Sequence, residues 1–292
     1  MEKIDRLGWA AGISFASYGV RVGVRANSPL ALRLARDYLP PGWKASSSRL
    51  VDRLYSLILP TNGASRAMRR FNLLYGDIAR LARTTDSEEA LEVLASDLQR
   101  YVAEMAIDRV FVHAGVVAWR DTAILLPGRS NTGKTTLVAE FVKAGATYYS
   151  DEFAVLDKRG RVHPFAGALQ IRDSKTGKQT RHSVEQFGGH AGTKPLPVSL
   201  VVLTKYRAGT RWRPTRLSSG QGVLEILAQT VSARRQPRRA LITLEKVATH
   251  AAVLKGARGE ATDVIDWVFT YVDDACSSNS KPRRPGRRRS KP

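Results

Sequence analysis

Residues 124–136 read ILLPGRSNTGKTT, and within them Gly128, Gly133, Lys134 and Thr135 stand at the spacing G-x-x-x-x-G-K-[ST]. Each residue type has a chemical reason to be there. A glycine-rich turn lets successive backbone N–H groups point inward and form a nest for an anion, here spanning Gly128, Arg129, Ser130, Asn131, Thr132, Gly133, Lys134, Thr135 and Thr136. A helix starting at the same spot adds the positive end of its dipole. Lys134 then has the reach for β- and γ-phosphates, and the Thr135 hydroxyl the position to ligate Mg²⁺. The segment is therefore expected to bind ATP with magnesium.

That motif needs a strand before it and a helix after it. Val110–Trp119 and Thr122–Leu126 read as a hairpin around Arg120-Asp121, and a helix follows over residues 133–144 with Gly145 as its stop. A strand at Thr147–Tyr149 leaves this helix and is expected to return beside the strand that precedes the motif. Asp151, at the end of it, would then face bound phosphates, where a carboxylate can deprotonate a hydroxyl or hold magnesium through water. Taken alone, Asp151-Glu152 reads equally well as a solvated turn, and His113 as a hydrogen-bonded histidine on an apolar strand.

The stretch VFVHAGVVAWRDTAILLPGRSNTGKTTLVAEFVKAGATYYSDE resembles the catalytic domain of HPr kinase/phosphorylase over about residues 107–173. The chain is also similar to a broader group of bacterial HPr-kinase-like proteins that includes kinases of ribosomal peptides such as lasso precursors. The resemblance implies a P-loop kinase domain of the HPr kinase / PEP carboxykinase-like α/β type. It also implies Asp151 as general base, Glu152 as the metal-side acid beside Thr135, and His113 as a site residue orienting Asp151. Downstream, Gln170-Ile171-Arg172-Asp173 stands where that family carries an acid, an arginine and a glycine pair. Arg172 matches and is carried over as a catalytic residue. Gln170 replaces the acid and cannot supply its charge to a second magnesium. This departure argues against phosphorolysis and for a related kinase with a different acceptor, a serine or threonine hydroxyl of a protein or peptide.

Three zones follow. Residues 1–106 read as a small α/β domain, with a strand over Ser14–Val24, a helix from Ser28-Pro29 to Leu39, a strand over Arg49–Leu59, a weak helix at Ala64–Arg70 and a clear one at Ser87–Met105. Residues 107–276 carry the motif, further strands at Phe153–Leu156, Arg161–His163 and Val198–Leu203, and helices near 220–231, 237–249 and 260–272. Arg172–Pro197 between them reads as a long connection. Residues 277–292 read as a basic disordered tail.

Composition sets the outer bounds. Apolar content of 43% with 25% charged residues is that of a globular chain. A lone cysteine, Cys276, allows no internal disulfide and no cysteine-based zinc site. Near the N-terminus, Glu2 and Asp5 oppose a signal peptide, and no run reaches the ~20 apolar residues of a membrane span. A soluble, cytoplasmic protein without membrane contact is expected. The net charge is +21, and the last sixteen residues hold seven Lys and Arg and no acid, leaving 40 basic against 26 acidic residues elsewhere. Such a tail would hold nucleic acid weakly and nonspecifically through phosphates. Two alternatives to a kinase stay open: a nucleotide-binding switch module without transfer, and a nucleic-acid-associated P-loop ATPase. The basic residues lack aromatic interleaving or a helix-turn-helix signature, which speaks against the latter. A homo-oligomer is left open.

Overall fold

The computed structural model describes residues 3–60, 71–128, 133–172 and 179–279. Tyr18 and Gly19 both have positive φ, +49° and +83°, the backbone of a tight two-residue hairpin turn. They divide the expected strand over Ser14–Val24 into β1 (Ala11–Ser17) and β2 (Val20–Ala26), paired antiparallel. The helix α1 (Pro29–Arg36) starts where expected: the Ser28 side chain caps the Ala31 N–H, and Pro29 occupies the first turn. It stops short of Leu39, whose N–H turns back onto the Arg36 carbonyl. After β3 (Lys44–Ala45) and β4 (Arg53–Ile58) comes a hairpin the sequence reading did not anticipate, β5 (Asn72–Gly76) and β6 (Ala79–Thr84). The expected helix at Ala64–Arg70 lies outside the described residues. α2 (Ser87–Met105) has the expected bounds and is capped by Asp86.

These elements form a six-stranded sheet in the order β3-β1-β2-β4-β5-β6. Phe15, Val22, Val24, Tyr55, Leu57 and Leu74 from its strands meet Ala31 and Ala35 of α1 and Leu91, Leu94, Leu98 and Val102 of α2 in one core.

The remaining elements are β7 (Val110–Trp119), β8 (Thr122–Pro127), α3 (Lys134–Lys143), β9 (Thr147–Ser150), β10 (Phe153–Leu156), β11 (Val162–His163), β12 (Leu169–Arg172), β13 (Gln179–His182), β14 (Val198–Tyr206), β15 (Thr215–Arg216), α4 (Ser219–Leu227), α5 (Pro237–His250), β16 (Ala252–Arg258) and α6 (Ala261–Asn279). The expected β7–β8 hairpin is present, with Arg120 and Asp121 at φ +51° and +59°. An eight-stranded sheet runs β11-β10-β7-β8-β14-β16-β15, with β9 also paired to β7. Within it β8, β14 and β16 are mutually parallel, so their C-terminal ends share one edge.

β9 pairs with β7 rather than returning beside β8, whose other edge is taken by β14. The Arg172–Pro197 connection contains the second strand of the β12–β13 hairpin and a short 3-10 turn at Val184–Phe187. β16 was unforeseen, because Lys255 and Gly256 interrupt its apolar run between two helices. The helix near 220–231 ends at Leu227, with a separate 3-10 turn at Val231–Arg234. α6 continues past Cys276 to Asn279, and the rest of the basic tail, 280–292, lies outside the described residues.

The chain divides into two compact units that are not continuous in sequence. One comprises the residues up to Val112 with Val155–Arg159 and Thr230–Leu244; the other comprises His113–Ala154, Gly160–Gln229 and the residues from Glu245 on. In the second, Leu137, Val138, Phe141 and Val142 of α3 and Val264, Ile265, Val268 and Val272 of α6 pack with Ile124, Leu126, Leu200, Val202 and Leu254 of the sheet. All of these are nearly or fully buried, which fixes the start of α3 relative to the strand ends. The structure is thus mixed α/β, and among the described residues no helix is long and apolar enough to cross a membrane.

Candidate functional site

β7 is the strand on which the site is assembled. On one edge it pairs with β8, Ala114 opposite Pro127, and the Gly128 N–H donates to the His113 carbonyl at 3.2 Å. With β9 it pairs Val116 opposite Ser150, and beyond that pair the Ala114 N–H donates to the Glu152 carbonyl at 3.1 Å. One short segment of backbone therefore anchors both the entry to the Gly128–Thr135 motif and the acid pair. Sequence separation had hidden this bridging role.

The far end of the motif is fixed by a helix start. Gly133 caps α3 with φ +79°, a left-handed conformation that suits glycine. Lys134 and Thr135 occupy the first turn, both partly buried, and Thr136 is exposed. Arg129, Ser130, Asn131 and Thr132 lie outside the described residues. Gly115 on β7 makes the close packing of α3 feasible: a Cβ there would fall 2.5 Å from Cγ2 of Val138. Burial pulls the Lys134 ammonium below its ordinary pKa, while the charges of Glu152 and Asp151 push it back up. The lysine and both carboxylates thus belong to one electrostatic neighbourhood.

Asp151 is only 8% exposed. The Tyr148 hydroxyl donates to its Oδ1 at 2.9 Å, and the Gln170 backbone N–H approaches Oδ2 at 3.4 Å. Burial raises the Asp151 pKa; the hydrogen bond from Tyr148 opposes this, the neighbouring Glu152 charge adds to it, and the balance leaves it at about 6. A carboxyl group in that range is ionised at neutral pH yet basic enough to take up a proton. Tyr148 stays a donor, since burial and the Asp151 charge hold its own pKa well above the usual phenol value.

His113 has a different partner from the expected one. Its Nε2 is 3.2 Å from Oε1 of Glu152, and its ring packs against Phe153 at 5.8 Å between centroids. Histidine and the exposed acid form one pair, tyrosine and the buried acid another. Gln170 brings the β12 backbone to Asp151, and Arg172 ends the same strand in register with Gln179.

Two residues escaped the sequence reading. Tyr148 looked like an ordinary aromatic strand residue, although its position three residues before Asp151 was visible. Arg258, whose Nη2 donates to the Gly133 carbonyl at 3.3 Å, sits on the strand that went unrecognised.

Among the described residues no group of three or more His, Cys, Asp or Glu side chains gathers as a metal cage. Compared with known proteins, the chain matches no family model and no curated protein.

Proposed function

We infer that this chain is an ATP- and Mg²⁺-dependent kinase that transfers the γ-phosphate to a hydroxyl, the acceptor being a serine or threonine of a protein or peptide. The observation that carries the reading is a buried, proton-accepting carboxylate, Asp151, in the electrostatic reach of Lys134 at the start of α3.

In this reading the backbone cradle and Lys134 hold the phosphate chain, and Thr135 and Glu152 hold the magnesium. Magnesium supplies charge neutralisation on the phosphate oxygens. His113 orients Glu152 and the base of the motif through its side chain and its carbonyl. Asp151 accepts the acceptor's proton as the new O–Pγ bond forms and the bond from Pγ to the β-phosphate oxygen breaks, releasing ADP. Tyr148 orients the base, and the family resemblance assigns Arg172 to the same site. The HPr kinase-like domain type belongs to this proposal as well.

The test is labelling with γ-³²P ATP in an extract of the source cell and then with the purified acceptor. The reading predicts a Mg²⁺-dependent labelled protein or peptide that disappears with Lys134→Ala. Tight ATP binding without any turnover or labelling would instead favour the switch-module alternative.

A further inference from the structure

Arg258 closes β16, opposite Tyr206 of the parallel neighbour β14, at the strand edge where the Gly128–Thr135 motif begins. It is 4% exposed. Its Nη2 donates to the Gly133 carbonyl at 3.3 Å, its Nη1 to the Gly259 carbonyl at 3.1 Å, and its guanidinium carbon lies 5.4 Å from the Tyr206 ring centroid. Its Nε is buried without a hydrogen-bond partner among the described residues. The nearby Glu260 acts on it only at longer range, its own carboxylate facing the Tyr206 hydroxyl at 3.4 Å. Among the described residues Arg258 forms no ion pair.

A guanidinium is charged at every accessible pH, and burying it without an anion is costly. Two of its five N–H groups are spent on backbone carbonyls, which fix its orientation and leave donors over. It touches Gly133, the residue that caps α3, so closely that a Cβ there would fall 2.9 Å from Nη2. Ligands of open α/β sheets sit outside the carboxyl ends of the parallel strands, where Arg258 stands.

We propose that Arg258 is a second cationic residue of the nucleotide-phosphate site, recognising the phosphate chain from the β16 side while Lys134 does so from the helix. This rests on the reading of Gly128–Thr135 as a nucleotide site. The bound phosphates supply the counter-ion that Arg258 lacks among the described residues. Selectivity for longer phosphate chains follows, because each added phosphate brings more negative charge to the pair of cations.

The test is isothermal titration of Arg258→Met with ATP, ADP and AMP in the presence of Mg²⁺, beside thermal melts of the free protein. The ATP affinity is expected to fall at least about tenfold, the loss of a charge-assisted hydrogen bond. The effect shrinks for ADP and again for AMP, while the free protein melts no lower than the parent, since a buried unpaired cation has been removed. Arg258→Lys, which keeps the charge but loses the fork, shows the same ordering with smaller losses and serves if the methionine variant fails to fold. Unchanged ATP affinity, or equal losses for all three nucleotides, would overturn the proposal and leave Arg258 as a brace for the helix start. Lys134→Ala separates the two levels. If that variant keeps ATP affinity, the nucleotide site itself is wrong; if it loses affinity while Arg258→Met does not, only Arg258 is misassigned.

Discussion

The phenolic oxygen of Tyr148 lies 2.9 Å from Oδ1 of Asp151 and 3.1 Å from the carbonyl oxygen of Gly167, so one proton serves two acceptors. Donation to Asp151 favours the ionised carboxylate and partly offsets the burial that raises its pKa to about 6. Tyr148→Phe removes only the offsetting influence. The acid limb of any Asp151-dependent turnover should then move to higher pH, with a smaller effect on the plateau rate. A pH–rate profile of the variant checks this, and an unmoved acid limb would count against Asp151 as the titrating base.

The same raised pKa makes a stability prediction. The folded protein binds the Asp151 proton more tightly than the unfolded chain, whose carboxyl titrates near 3.8. That contribution is fully present below the unfolded value and is lost as pH rises through about 6. At pH 7.5 the buried, ionised group therefore costs up to about 3 kcal/mol. Asp151→Asn keeps the shape without the charge, so its melting temperature should exceed that of the parent at pH 7.5. The gap should narrow as pH falls towards 4. A variant less stable than the parent at pH 7.5 would contradict the assigned environment.

Packing under the motif can be tested independently of chemistry. Gly115→Ala places a methyl group 2.5 Å from Cγ2 of Val138 on α3, in a core where Leu137, Phe141 and Val142 are also buried, so the valine or the helix must shift. Overpacking of this kind costs about 1–3 kcal/mol. Urea unfolding should show that loss, and ATP affinity should fall as the helix start shifts. Unaltered stability would contradict close packing of α3 on β7 at Gly115.

Removing the Thr135 hydroxyl while keeping Lys134 tests the metal assignment. Thr135→Ala should raise the Mg²⁺ concentration needed for ATP binding or turnover and leave metal-free nucleotide binding nearly intact. Equal loss with and without Mg²⁺ would place the hydroxyl elsewhere.

Much of the site was legible because its parts are local. The motif and the hairpin around Arg120-Asp121 each carry their signal within a few residues, as does the helix Ser87–Met105 in the other unit. What was lost is long-range. Asp151 was singled out by position, yet its hydrogen bond to Tyr148 and the assignment of His113 to Glu152 depend on how β9 lies along β7. Arg258 is 125 residues from Gly133, and its strand was masked by a lysine and a glycine in a short apolar run. The β5–β6 hairpin was likewise missed, because Asn72–Thr84 mixes helix-forming leucines and arginines with a single turn at Asp77. Pairing partners far apart in sequence decide such segments, and local propensity does not.

Asp151→Asn gives the most direct test of phosphoryl transfer with Asp151 as base. ATP binding is measured by titration, and turnover by release of labelled phosphate to water and then to the cognate acceptor. The account predicts that turnover falls by about 10²–10⁴-fold, the worth of general-base assistance, while ATP affinity holds or rises as a negative charge near the γ-phosphate disappears. Turnover equal to that of the parent protein, with binding intact, would contradict it and leave Asp151 as a buried structural carboxylate.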